Sequence, residues 1–288
     1  GGFGRVVEAM KEVAESKGAR FVFNTEVTAL RGTKNIIHEA MLRNGVDEDT
    51  AIADVIVANA DYVHVENDLL QPQHRSIPIK RWSKRTFAPA VLNYYVGFNR
   101  RLPFLAHHTF FFDTDWNDHF DAVYGKRRWP ENPLFYLHIP SMTDPDVAPS
   151  GKEAMFLLVP CALGLEDTDE VRERYFTLVM DRMEALTGES LRGAIEFRET
   201  MSIREFITDY NAFQGTAFGL GQTLFQTAYF RPANRSRKAA NLYYTGHYTV
   251  PGTGTTMSMI SGKLAAMRIG IEWPGEGIGP PIGPGWAT

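Results

Sequence analysis

Residues 241–262 read Asn-Leu-Tyr-Tyr-Thr-Gly-His-Tyr-Thr-Val-Pro-Gly-Thr-Gly-Thr-Thr-Met-Ser-Met-Ile-Ser-Gly. Leu242 to Thr245 predict a short buried strand that stops at Gly246. A turn at Pro251-Gly252 and a Thr-rich segment around Gly254 follow, and then a small-residue helix running towards Arg268. A strand, a glycine and a helix start in that order bring bare backbone N–H groups up to a ligand's phosphate or carbonyl oxygens. Taken alone, the same letters also describe a Schellman-type turn that holds no ligand, because short glycine motifs are common.

Working outward, Phe3, Val6, Val7, Met10, Val13 and Ala14 recur at helical spacing, and Gly18 stands where a helix would end. Strands are predicted at 20–24, 27–31 and 36–42, with an Asn44-Gly45 turn and an acidic loop at 47–49. Residues 55–58 are a continuous apolar run, as in a strand buried on both faces. Helix, hairpin and buried strand within 1–77 suit a three-layer α/β cofactor domain. From Pro78 the chain turns aromatic and β-prone, at 91–98, 109–112, 134–139 and 155–160. These segments predict a mixed or antiparallel sheet in a second, α+β domain spanning 78–232, with an amphipathic helix at 167–186. Residues 233–270 are expected to return to the cofactor domain, and 271–288 to form a Gly/Pro-rich tail.

The 288 residues are 44% hydrophobic, enough to bury a sizeable core, and the formal net charge of −4 gives no attraction for nucleic acid. The single cysteine, Cys161, precludes an internal disulfide and lies in an apolar run, as a core thiol does.

Several long motifs resemble one family. They are Gly1-Gly2-Phe3-Gly4, Asn24-Thr25-Glu26-Val27, Val57-Ala58-Asn59-Ala60-Asp61, and 135–144 from Phe135-Tyr136 to Thr143-Asp144. Asp209-Tyr210-Asn211-Ala212-Phe213, Gln226-Thr227-Ala228-Tyr229-Phe230-Arg231-Pro232 and the glycine segment continue them in order. Together they resemble the bacterial-type phytoene desaturases, flavin-dependent carotenoid desaturases of the amine-oxidase-like superfamily. The resemblance implies a partial FAD-binding, Rossmann-like domain and a substrate-binding domain. The family's N-terminal strand–Gly-x-Gly-x-x-Gly–helix does not occur in the chain, so the resemblance implies the C-terminal portion of a longer desaturase.

The same resemblance assigns FAD to Gly246, His247, Gly252, Gly254, Thr255, Thr256 and Met257, and pairing with adenine to the backbone of Val27. Val27 is equally well explained as a core valine. Thr249-Val250-Pro251-Gly252 and Thr255-Thr256 depart from the usual family pattern, as does His247. The implied reaction removes hydrogen from a carbon–carbon single bond of a long isoprenoid, with hydride passing to the flavin. Phe110, Phe112, Phe135 and Tyr136 are expected to line an apolar tunnel. A carotenoid isomerase or saturase is the alternative within the superfamily, and a non-enzymatic carotenoid- or lipid-binding remnant is the alternative outside it.

Asp144 is the candidate catalytic carboxylate, able to stabilise developing positive charge, and is equally a turn residue capping Pro145-Asp146. His107, His108 and His138 predict no metal site, because neighbouring histidines on a strand point to opposite faces. The clusters Lys80-Arg81-Trp82-Ser83-Lys84-Arg85 and Lys126-Arg127-Arg128-Trp129 are either solvated loop charge or contacts with an anionic membrane surface, tryptophan at headgroup depth. A polyene substrate implies a cytoplasmic protein attached peripherally to a membrane.

Overall fold

A computed structural model describes residues 2–274, so most of the expected tail, from 275 onward, lies outside the described residues. The chain is mixed α/β. Its elements begin with α1 (Gly2–Ser16), β1 (Glu26–Thr33), β2 (Ile36–Asn44), β3 (Asp47–Ile52), β4 (Ile56–Ala58), α2 (Tyr62–His64) and α3 (Ile79–Trp82). Next come β5 (Ala90–Phe98), β6 (His108–Phe111), α4 (Trp116–Phe120), β7 (Phe135–His138) and β8 (Glu153–Cys161). The last are α5 (Asp169–Thr187), β9 (Ile195–Met201), α6 (Ile203–Tyr210), β10 (Leu242–Tyr244) and α7 (Thr255–Glu272).

Two compact units divide the chain. One holds Phe23–Ala88, Tyr210–Phe213 and the chain from Ala217 onward; the other holds the residues up to Val22, Pro89–Asp209 and Gln214–Thr216.

In the first unit β1, β2 and β3 form an antiparallel meander. Asn44 and Asp47 face each other across the second turn, where Gly45 has φ +61°. The acidic residues 47–49, expected as a loop, are therefore the start of β3, with Glu48 directly opposite Arg43. Residues 20–24, expected as a strand, carry none. β4 and β10 pair in parallel, Leu242 with Ile56 and Tyr244 with Ala58. Val57 is 48% exposed, which corrects the expectation of a strand buried on both faces. Among the described residues this sheet has two strands.

Asn241, the first residue of the quoted stretch, is fully buried. Its side chain accepts from the Ile37 N–H (2.9 Å) and donates to the carbonyls of Ile37 (2.7 Å) and Asp54 (2.9 Å). One amide thus joins the meander to the parallel pair. Tyr62 stacks on Tyr244 at 3.9 Å between centroids, and Trp82 packs against both Tyr62 and Tyr248.

In the second unit five strands run antiparallel in the order β6-β7-β8-β5-β9. Period-2 alternation sends Leu92, Tyr94, Val96, Leu137, Leu157 and Val159 to one face, into a core closed by Tyr175, Val179 and Met183 of α5. Each such side chain taken fully out of water contributes about 1.5–3 kcal/mol. Thr168 caps α5 by accepting from the Val171 N–H, and Gly188 ends the helix at φ +73°. Cys161 is buried in a satellite of this core, and burial raises its thiol pKa, so it is inert. α1 has the predicted amphipathic pattern, but no residue of it is buried.

Both tryptophans of the basic clusters pack against aromatic partners. Trp82 is fully buried in the aromatic group above. Trp129 is half-buried on the α5 core, lies tilted against Tyr175 (5.0 Å between ring centroids) and donates its indole N–H to the Glu166 carbonyl (3.0 Å).

Candidate active site

The glycine segment folds as strand, loop and helix. β10 ends at Tyr244, the Thr245 N–H donates to the Ala58 carbonyl (3.0 Å), and Gly246 follows with φ +95°. A Cβ there would stand 3.2 Å from Asn59 Oδ1, so both the backbone angle and the space select glycine. The Gly246 N–H donates to Ser261 Oγ (2.7 Å), and the Thr245 hydroxyl donates to Asn59 Oδ1 (2.9 Å). Gly252 and Gly254 also have positive φ, and Gly254 is the N-cap of α7.

No side chain caps this helix start, and Thr255, Thr256 and Met257 are exposed. The first N–H groups of a helix have no partner within it, so these residues present donors and the positive end of the helix dipole. An uncapped, exposed helix start preceded by positive-φ glycines, at the carboxyl end of a parallel strand, is a seat into which a flavin or a phosphate fits.

Two residues hold the loop. Asp61 accepts from the Val63 (2.8 Å) and His64 (3.1 Å) N–H groups through Oδ1. Through Oδ2 it accepts from the Tyr248 hydroxyl (2.6 Å) and the Phe213 N–H (3.2 Å). Buried Arg231 donates to the carbonyls of Thr249 (3.1 Å), Gln226 (3.1 Å), Leu220 (3.3 Å) and His247. Burial lowers the His247 pKa, and nearby Arg231 lowers it further against the opposite pull of Asp61, so this ring is neutral at pH 7. Gly219 (φ +68°) lies against it: a Cβ there would come within 2.2 Å of the ring.

Gly246, His247, Gly252, Gly254, Thr255, Thr256 and Met257 therefore form one continuous feature. Val27 is in the same unit but on β1, in the meander, next to a β-bulge and 37% exposed. Asp144 is in the other unit, where it accepts from the Asp146 N–H (3.1 Å) and caps the turn Pro145–Val147.

The second unit carries an apolar cavity of about 550 Å³. The sheet face opposite the core supplies one wall. Phe110, Tyr136 and Leu158 are directly opposite one another on β6, β7 and β8, forming a single row. Phe112, Phe120, Val123, Tyr124, Phe135 and His108 also line the cavity. All four aromatics expected at a tunnel thus line one cavity.

The next row along the sheet pairs His108 with His138. His107 joins them, because β6 starts at His108 and the turn before it carries the His107 ring back toward its neighbours. The expectation of opposite faces fails for that reason. Burial lowers the His138 pKa, and the rings of His108 and His107 lower it further.

The fold is shared with a solved structure at low identity. An oxidoreductase from Methanosarcina mazei superposes with TM-score 0.58 at 10% identity, over 91% of this chain and 53% of that one. No family model matches the chain. Among curated proteins, a carotenoid 3,4-desaturase from Haloarcula japonica is 40% identical over 266 residues, 92% of this chain and 53% of that protein. A zeta-carotene-forming phytoene desaturase from Myxococcus xanthus is 31% identical, over 95% of this chain and 52% of its own length. A lycopene-forming phytoene desaturase from Pantoea ananas is 30% identical, over 92% and 54%. The chain spans about half the length of the relatives it matches. On a likeness that runs along nearly all of its residues, the chain belongs to the carotenoid desaturase family.

Proposed function

We propose that the protein acts in FAD-dependent desaturation of a carotenoid. The carrying observation is the aromatic cavity of the second unit, in a chain 40% identical to a carotenoid 3,4-desaturase. Phe110, Phe112, Phe135 and Tyr136 offer flat, apolar faces suited to a conjugated or isoprenoid chain, and exclude water from it. When bound, FAD supplies the oxidant that accepts hydrogen from the polyene. Thr255, Thr256 and Met257 would donate their backbone N–H groups to it, and Gly246, Gly252 and Gly254 would allow close backbone approach. His247, neutral and packed on Gly219, would shape the seat without adding charge, and the Val27 backbone would meet the adenine end. Asp144 does not line the cavity.

Among the described residues no helix is long and apolar enough to cross a membrane. Phe110, Phe112, Trp116, Phe120 and Tyr124 are all exposed beside the cavity, and we assign this aromatic rim to contact with the lipid surface that delivers the polyene.

The test fills the cavity. Leu158→Trp, made in the complete reading frame that encodes this chain, should abolish co-purification of an acyclic carotenoid while leaving bound flavin in place. Equal pigment in variant and wild type would count against the cavity as the substrate site.

A further inference from the structure

We propose that His107, His108 and His138 bind one divalent transition-metal ion at the rim of the aromatic cavity. Each ring offers one nitrogen, and the three nitrogens lie within 4.8 Å of one another. His107 Nε2 and His138 Nε2 are 3.1 Å apart. Two imidazoles on one tetrahedral zinc ion, with bonds of about 2.0–2.1 Å, hold their nitrogens roughly 3.3 Å apart. That pair is therefore already at ligating separation.

The backbone sets the third ligand. His108 and His138 are a register pair on adjacent antiparallel strands, with rings parallel at 4.7 Å. His108 is exposed, so rotation of its ring within a rotamer well converts that spacing into coordination. His108 Nδ1 lies 2.6 Å from the Tyr136 hydroxyl, which leaves Nε2 for an ion. A ligating histidine is ordinarily held through its other nitrogen in this way. The Thr143 hydroxyl, 3.2 Å from His107 Nε2, stands ready to bond a water in the fourth position.

The donor set fixes the class of ion. Three neutral imidazoles with no carboxylate suit Zn²⁺, Co²⁺, Ni²⁺ or Cu²⁺, whereas Ca²⁺ and Mg²⁺ require oxygen ligands. Three protein ligands leave a position for water, as in zinc sites that act on a ligand. His108 also lines the cavity, so an ion here would sit beside its contents.

The test is a titration of the tag-free protein with Co²⁺, read by the visible bands of four-coordinate cobalt and by calorimetry. We expect one equivalent to bind. Loss of an outer partner already weakens metal sites by about 10–100-fold, so His138→Ala and His108→Ala should each weaken binding by at least about 100-fold. His38→Ala, which removes a histidine of the meander, should leave it unchanged. Absence of stoichiometric uptake, or uptake that survives both site variants, would overturn the proposal. Should His138→Ala fail to fold by circular dichroism, the exposed His108→Ala decides alone.

Discussion

The Tyr248 hydroxyl donates to Asp61 Oδ2 at 2.6 Å, and the other oxygen of the same carboxylate caps the helical turn that follows β4. One side chain thus links the glycine loop after β10 to the end of its partner strand. Asp61→Ala strands the N–H donors of Val63, His64 and Phe213 together with the Tyr248 hydroxyl. Each buried donor left unpaired costs about 1–3 kcal/mol, so Asp61→Ala should lower stability by at least about 3 kcal/mol. Tyr248→Phe loses one bond and should cost only about 1 kcal/mol. Urea titration of both variants separates the two expectations, and equal losses would mean that Asp61 acts only through Tyr248.

Arg231 satisfies four carbonyls with one guanidinium, two of them, His247 and Thr249, inside the glycine loop. Arg231→Met leaves four carbonyls without their donor, at about 1–3 kcal/mol for each that stays buried and unpaired, so it should destabilise by at least about 3 kcal/mol. Arg231→Lys should recover little, because an ammonium lacks the planar fork. Thermal unfolding of the three proteins checks this; recovery by lysine would show that charge alone suffices.

Gly219 and Gly246 should both resist alanine, for different reasons. At Gly219 the new Cβ would strike the His247 ring and Tyr248, so His247 must move. At Gly246 the contact is a tight 3.2 Å, and the φ of +95° supplies most of the strain, of order 1–3 kcal/mol. Gly219→Ala should therefore alter the ring resonances of His247 and Tyr248 by NMR, whereas Gly246→Ala should leave the Gly219 contact intact. Unchanged His247 signals in Gly219→Ala would refute the packing described.

Glu205 sets a pH dependence. Burial alone would raise its carboxyl, but hydrogen bonds from Arg172, from the Ser202 N–H and from Arg204 hold it at about 2, below the ordinary 4.5. Its folded pKa is depressed, so its contribution is fully present above 4.5 and is lost as pH falls toward 2. Urea midpoints should fall between about pH 5 and about pH 3, and the fall should be shallower in Glu205→Gln. An identical slope would remove Glu205 from the acid response.

Much of this was legible in local letters. The strand, glycine and helix at 242–272 are encoded by an apolar triplet, glycines at turn positions and a small-residue run, all local signals. The cavity aromatics Phe110, Phe112, Phe135 and Tyr136 came from the family resemblance; alternation alone would not pair Phe135 with its neighbour Tyr136. The remainder depended on long-range pairing. Asp47–Asp49 looks like a loop until β2 supplies Arg43 across the sheet. β9 was missed because its burial is only partial and its sequence is largely polar. Trp82 and Trp129 stand among charges in the chain, but they fold inward onto aromatic partners distant in sequence. Arg231, Gly219 and Asp61 carry no pattern that reveals four carbonyls, a ring contact or a shared carboxylate; for Arg231, lying between Phe230 and Pro232 was the available hint. His107 lies beside His108 because it precedes β6, so the strand rule of opposite faces does not govern it.

The most direct measurement is the mass and visible spectrum of pigment from cells that accumulate acyclic carotenoids and express the complete reading frame encoding this chain. A carotenoid lighter by a pair of hydrogens, with absorption shifted to longer wavelength and flavin bound to the protein, is the predicted result. Bound flavin with every carotenoid unchanged in mass would contradict desaturation.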